Sequence, residues 1–582
     1  MKKIFYLLTL LFAGIALEAG NNFPRSRYID LIAKTLTAYS TADIENYCHK
    51  VDTGGLKEHG FPRLTANIGI LIAHGKRLDL KPLFVRMMDI CCREIPIRKK
   101  AGNEFSIKEI VFCLMELEKQ RTFPPVQLEK WKSALKKVTV ANCYRVYAVS
   151  PTAKVNNWAA FAMVSEWMRY FIGAADKDMD FIETQAASQW QFVDVNGMYR
   201  DPNEPLVYDF VTRGLFAQLF YFGYRGKYFA RWDKALASAG KVSLLMLSAA
   251  GEMPFGGRSN QFLHNEATAA MVMEYEARRA MAAGDKATAA KFRGAAKALV
   301  DNVELCLALD PISHVKNRFP RDSRYGCETY AYFDKYMITA ASALYVAYLF
   351  SDDTIPATEM DLQSGMSWQS SDHFHKLFLR AGNYSAQNDY RADYKYDASG
   401  MGRLQFKGAP AAICLSVPGT HTPHYKIFMD KPVPFALTPM LYDGKVWLSG
   451  AAPEAVHSIV SHSAGKESAA AVINCSWGGK KKVKTTYLLD ANGLTVKVSG
   501  SGKIGYMLPA FSFDGKVKPE ISQQHHTLTI KYQGYECVYT VTGGTIADTG
   551  DTGGNRNGHY RIFRAEGNDD LTVNIRIGKS VR

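Results

Sequence analysis

Y-M-I-T-A-A-S-A-L-Y-V-A-Y-L-F-S-D-D-T-I-P-A-T-E-M-D-L-Q-S-G-M-S-W-Q-S-S, from Tyr336 to Ser371, is where this 582-residue chain changes character. Up to Phe350 apolar residues recur at spacings of three and four, the period of a helix with a buried face. From Ser351 the stretch is rich in Asp, Thr, Ser and Met, and beyond it apolar and polar residues alternate as in half-buried strands. Upstream, the helical period predicts segments over 27–40, 63–74, 80–95, 106–119, 126–139, 156–174, 178–192, 207–223, 227–249, 261–283, 286–307 and 329–350. Gly173, Gly223 to Gly226, Pro254 to Gly257 and Gly284-Asp285 punctuate them. Twelve helices make six hairpins, which can close into an α/α toroid around a central cleft; no repeated consensus accompanies them, so an open solenoid is the alternative. Downstream, 411–417, 424–429, 445–449, 485–498, 525–532 and 570–577 read as strands, with hairpin turns at Asp490 to Gly493 and Tyr442 to Lys445. The expectation is an α/α toroid over residues 21–355 and an antiparallel β-sandwich over 356–582.

The N-terminus has a charged start at Lys2-Lys3, an apolar run from Ile4 to Leu17 and small residues at Ala19-Gly20. This is the pattern of a secretory signal over residues 1–20, too short to span a bilayer. No Cys follows the expected cleavage position and no later apolar run reaches membrane length, so a soluble periplasmic or secreted protein without an integral membrane segment is expected. The ten cysteines are scattered without a C-x-x-C pair, which fits buried free thiols, with one or two bridges as the alternative, and gives no zinc motif. No cofactor is implied. The formal net charge of +15 favours a polyanionic partner. Export and the lack of a nucleic-acid motif turn that toward an acidic polysaccharide, the bland alternative being a generic basic surface.

Three loops concentrate groups that ordinary helix connectors lack: N-N-W at Asn156 to Trp158, M-Y-R-D-P-N-E-P-L-V-Y-D at Met198 to Asp209, and G-G-R-S-N-Q-F-L-H-N-E at Gly256 to Glu266. Rigid scaffolds commonly present function on such loops. Asn157, Arg200, Arg258 and Asn265 are candidate binders of a substrate carboxylate, and His264, Tyr208 and Tyr325 are candidate proton carriers. Each has a structural alternative. Asn156 or Asn157 can cap a helix, His264 can pack, and the aromatic run from Tyr325 to Tyr336 can be core. Among the carboxylates of the same loops, Asp209 and Glu266 are the alternative acid and base. His421 to His424 reads as a polar turn and Ile546 to Gly558 as a mobile loop.

The architecture and these loops resemble the exported polysaccharide lyases and uronic-acid-processing hydrolases built as an α/α toroid plus an antiparallel β-domain, the heparinase-like and chondroitin-lyase-like group. Asn157, His264 and the tyrosines resemble the Asn, His, Tyr and Arg set of such lyases. The resemblance implies β-elimination on a uronic-acid-containing glycan. That chemistry must remove the weakly acidic C5 proton, so it needs groups that neutralise the adjacent carboxylate and stabilise the enediolate, and a base and acid beside the glycosidic bond. Two suitably placed carboxyls would instead support a glucuronidase-like hydrolysis. A non-catalytic periplasmic glycan-binding protein is the third reading.

Overall fold

The computed structural model describes residues 23–148, 156–479 and 481–580; the leader read over residues 1–20 lies outside them. Helices Gly60–Ala73, Ile107–Lys119, Asn157–Phe171, Leu206–Tyr221, Leu263–Ala282 and Phe333–Phe350 each touch the next, and the last touches the first. They form a closed inner ring. Each is preceded by an outer helix: Thr41–Gly54, Lys81–Glu94, Pro125–Leu135, Met179–Gln189, Phe229–Met246 and Lys286–Leu307. Closure selects the toroid over the open solenoid, and the Ser26–Leu36 helix packs against the first and last inner helices.

Composition separates the two rings. Gly60–Ala73 is buried along all but one of its residues, whereas Pro125–Leu135 buries only Leu128, Trp131 and Leu135, one narrow stripe. The Thr41–Gly54 helix carries an even sparser stripe, Ile44, Cys48 and Val51, and its start is set by a Ser40–Asp43 capping box. With so few apolar positions its period falls below what the sequence pattern reveals. Where polar residues occur on inner helices they are paired: Arg63 contacts Glu109 (3.0 Å), Ser342 donates to Glu109 (2.5 Å) and Asn67 donates to Ser342 (3.0 Å).

Beyond Phe350 the first strand begins at Met366. Strands Met366–Gln369, Lys376–Ala381, Tyr384–Asp389 and Gly400–Phe406 form an antiparallel sheet in chain order. It packs on a larger antiparallel sheet ordered Glu520–Gln523, Thr527–Tyr532, Tyr535–Asn555, Gly558–Lys579, Gly493–Phe513, Lys481–Asp490, Ala469–Trp477 and Ala455–Ala464, with Pro439–Tyr442 and Trp447–Ser449 alongside. One core that includes Leu379, Leu404, Tyr487, Leu508 and Phe563 lies between the two, making a sandwich.

Three sequence expectations are corrected here. Ala411–Val417 is buried from Ile413 onward but is not a strand; apart from one bridge of Leu415 to Leu404, carbonyls here are taken by side chains, Ser416 O by Arg403 and Val417 O by Asn555. His424–Met429 is not a strand either, because Lys426 exchanges hydrogen bonds with Gly326 and Cys327 of the helical domain. Ile546–Gly558 is the end of one long strand and its hairpin turn, with Asn555, Arg556 and Asn557 buried. All ten cysteines are free, and eight of them are buried. Among the described residues no helix is long and apolar enough to cross a membrane.

The smaller sheet seats on the loop that follows Phe229–Met246. Ser385 accepts from Ala249 N (2.7 Å), and Gln387 pairs with both backbone groups of Phe255 (3.1 and 2.7 Å). The connecting segment is held by Thr358 N donating to Ala290 O (3.0 Å), where Gly294 lets the backbones meet. A Cβ at Gly294 would lie 1.6 Å from the Thr358 carbonyl oxygen, so Gly294→Ala must push the connector off its helix. The expected cost is roughly 1–3 kcal/mol or more, seen as a lower Tm and faster proteolysis at the connector; an unchanged melting curve would contradict this docking.

Candidate active site

The three polar loops meet at one mouth of the ring. The backbone and side-chain amides of Asn157 both donate to Asp201 Oδ1 (3.1 and 2.9 Å). Arg258 pairs with the other oxygen of Asp201 and donates to the Pro202 carbonyl, and Leu206 N donates to Gly256 O (3.2 Å). One buried carboxylate thus ties all three. Gly257 adopts φ 76° against Pro205, where a Cβ would come within 2.9 Å of the proline, so glycine is what lets the two longer loops touch.

Beside this tie lies a group of hydroxyls. Tyr208, in the first turn of its helix, places its hydroxyl 3.2 Å from Ser259 Oγ, which lies 3.2 Å from the Tyr330 hydroxyl and 3.4 Å from that of Tyr336. The Arg258 guanidinium covers the half-buried Tyr208 ring at 4.5 Å, an attraction between cation and ring face. His264 packs edge-on against Tyr336, 4.9 Å between centroids, and its Nδ1 has no hydrogen-bond partner among the described residues. Burial, then Arg63 and His314, push its imidazole down to about 3, so it is neutral near pH 7. Burial and then Glu328 and Tyr208 push the Tyr330 hydroxyl up, which keeps it protonated.

The structure brings together Asn157, Tyr208, Arg258, His264 and Asn265. Asn265 shapes the loop: it accepts from Phe262 N (2.8 Å) and donates to Ser259 O (3.0 Å). The other residues read from sequence as site groups lie apart from the hydroxyls. Arg200 turns to Gln191 O (3.0 Å) and to His373 of the β-domain (3.1 Å). Tyr325 donates to Gly558 O (3.0 Å) and stacks on Phe319, at the seam between domains. Asp209 is fully buried, paired with Arg213 (2.6 Å) and accepting from Tyr199 N (2.8 Å). One residue past Tyr208 on a helix means a rotation of about 100°, from rim to ring interior. Glu266 shares Lys316 (2.7 Å) with Glu252. A cavity of about 870 Å³ between Lys286–Leu307 and the β-domain is lined by none of the nine residues singled out from sequence.

Sequence reasoning missed Ser259, Glu328 and Arg556. Glu328 accepts from Ser259 N (2.6 Å) and is held in a forked pair by Arg556 (2.6 and 2.9 Å), which comes from the β-domain hairpin. This fixes Ser259 in a left-handed conformation, φ 59°. No local signal marks such a partner 228 residues away.

The molecule is therefore a two-domain protein of the class in which an α/α toroid is followed by an antiparallel β-sandwich. No family model matches the sequence and no curated protein matches it. Among solved structures it is similar to heparinase III, at 8% identity over 89% of this chain and 77% of that one, TM-score 0.49. It is also similar to the chondroitin lyase ODV-E66, a baculovirus envelope protein (9%, 94% and 78%, TM-score 0.41), and to a glycosyl hydrolase family 88 protein from Bacteroides vulgatus (9%, 54% and 99%, TM-score 0.32). Likeness at this level sets neither substrate nor chemistry.

Buried groups near the mouth make stability depend on pH in two opposed ways. His264 and His314 are pushed down to about 3 and about 4, chiefly by burial. The unfolded chain takes up these protons as pH falls through about 6.5 and the folded protein does not, so they remove stability below that pH. Asp397, which accepts from Gly257 N (2.6 Å), is pushed up to about 7 by burial, with Lys376 opposing and Asp389 adding to the rise. It is protonated in the fold while the unfolded carboxyl is ionised, so it removes stability as pH rises from about 4 to 7. Asp397→Asn is expected to melt above the wild type at pH 7 and above, with the difference vanishing toward pH 4. Melting curves across that range check the sign.

Proposed function

We propose that the protein is a polysaccharide lyase that cleaves a uronic-acid-containing glycan by β-elimination outside the cytoplasm. The observation that carries this reading is the Tyr208 hydroxyl at the mouth, with Arg258 over its ring and Ser259 beside it. Of the nearby carboxylates, Asp201 is engaged by Arg258, Asp209 by Arg213, Glu266 by Lys316 and Glu328 by Arg556, while Asp397, without an ion pair among the described residues, is buried against Gly257 N. Hydrolysis through an acid and a base needs two carboxyls facing the scissile bond, whereas elimination needs what the mouth offers. Arg258 supplies the positive charge that faces the uronate carboxylate, and the neutral His264 imidazole offers a hydrogen bond as the enediolate develops. Tyr208 takes the C5 proton, the C4–O bond breaks and a C4–C5 double bond forms. The basic net charge suits an acidic glycan.

The test is to incubate the purified protein with a panel of acidic glycans and follow the ultraviolet absorbance of an unsaturated uronate. Its growth is the expected result. Reducing ends without that absorbance would favour the hydrolase, and binding with neither signal would favour a glycan-binding protein. Tyr208→Phe and His264→Ala are each expected to lower kcat by about 100- to 10,000-fold; Tyr208→Phe should keep a Tm near that of the wild type, whereas His264→Ala also lowers it by emptying a site packed against Phe262 and Tyr336. Near-normal turnover in both would remove these roles.

A further inference from the structure

The Ser259 side chain reaches both Tyr208 and the more exposed Tyr330, at 3.2 Å from each hydroxyl. A serine hydroxyl has one proton to give and two lone pairs to accept with, so it can take a hydrogen bond from one tyrosine while giving its own to the other. Nothing in its own backbone would favour this placement. Ser259 sits at φ 59°, and the neighbouring Gln261 at 60°, in the left-handed region that non-glycine residues seldom adopt. Glu328 supplies the restraint by accepting from Ser259 N, and Arg556 clamps Glu328 from the far domain. Asn265 adds a second hold on the Ser259 carbonyl. Strain retained under so many restraints is the mark of a position kept for use.

We propose that Ser259 is a hydroxyl bridge that returns the proton from Tyr208 to Tyr330, making Tyr330 the acid for the leaving sugar. This rests on the reading of Tyr208 as the base of an elimination. The Tyr208 phenolate takes the proton from C5, and Tyr330 gives its own to the departing glycosidic oxygen as the C4–O bond breaks. The Tyr208 hydroxyl then passes its proton to Ser259 Oγ as Ser259 passes its own to the Tyr330 phenolate. Both tyrosines return to their starting states and no proton is drawn from bulk water. Tyr330 is 38% exposed, open to a bound sugar, whereas Tyr336, the third neighbour at 3.4 Å, is turned against Phe262 and His264. Tyr336 supports the bridge without being part of it.

The experiment is steady-state kinetics on the full chain with a glycan that the wild type converts to an unsaturated product. Ser259→Ala is expected to lower kcat about 10- to 1,000-fold with KM within about twofold, somewhat less than loss of an acid or base outright. Ser259→Gly removes the same hydroxyl and accepts the left-handed backbone without strain, so it must show the same loss, with a Tm near that of the wild type. Tyr330→Phe, which removes the acid itself, is expected to lower kcat at least as far, and the double variant Ser259→Gly with Tyr330→Phe to be no slower than the slower single, since both cut one path. Tyr336→Phe should stay within about threefold of wild type. Near-normal kcat in Ser259→Gly, or losses that multiply in the double variant, would overturn the bridge and leave Tyr208 as base. A wild type that forms no unsaturated product from any glycan of the panel overturns the lyase reading, and the bridge with it.

Discussion

Two concentric rings leave the inner helices no face toward water, and much of the molecule follows from that constraint. A polar side chain on an inner helix must bring its partner with it, since an unpaired buried charge is costly. The ring accordingly holds its charges in pairs, Arg213 with Asp209 and Arg169 with Glu166 within single inner helices and Glu274 with Arg293 of an outer helix. Groups meant for chemistry are left to the ends of the inner helices. Tyr208 and Asp209 show the division over a single peptide bond, one at the rim and one locked inside.

The helices were largely legible because burial in a toroid writes itself into the sequence. The strands were legible where the larger sheet alternates, as in Lys481–Asp490 and Thr527–Tyr532. Reading failed where tertiary contacts replace the ladder. Ala411–Val417 is apolar enough for a strand, yet Arg403 and Asn555 occupy its carbonyls. The glycines and acids of 546–558 suggested a loose loop, but they form a strand end and a hairpin wedged between domains.

For the site, the loops could be found because their residue types are unusual, but the roles within them could not. Asn265 carries a helix-start signal and Asp209 stands four residues before Arg213, the spacing of an intrahelical ion pair. Both local clues compete with the functional reading and describe what the side chains do. Ser259 gives no clue at all, since its position depends on a backbone conformation and on Glu328, whose own partner belongs to the other domain.

The Glu328–Arg556 clamp also bears on when the protein can work. A ribosome releases the helical half first, and that half can begin to close its ring as it emerges. The guanidinium that clamps Glu328 is made 228 residues later. Until then the carboxylate lacks its counter-charge and the serine loop lacks its clamp. A chain that lacks the β-domain hairpin can hence keep the Asp201 tie between its loops and still leave Ser259 without the clamp behind its restraint.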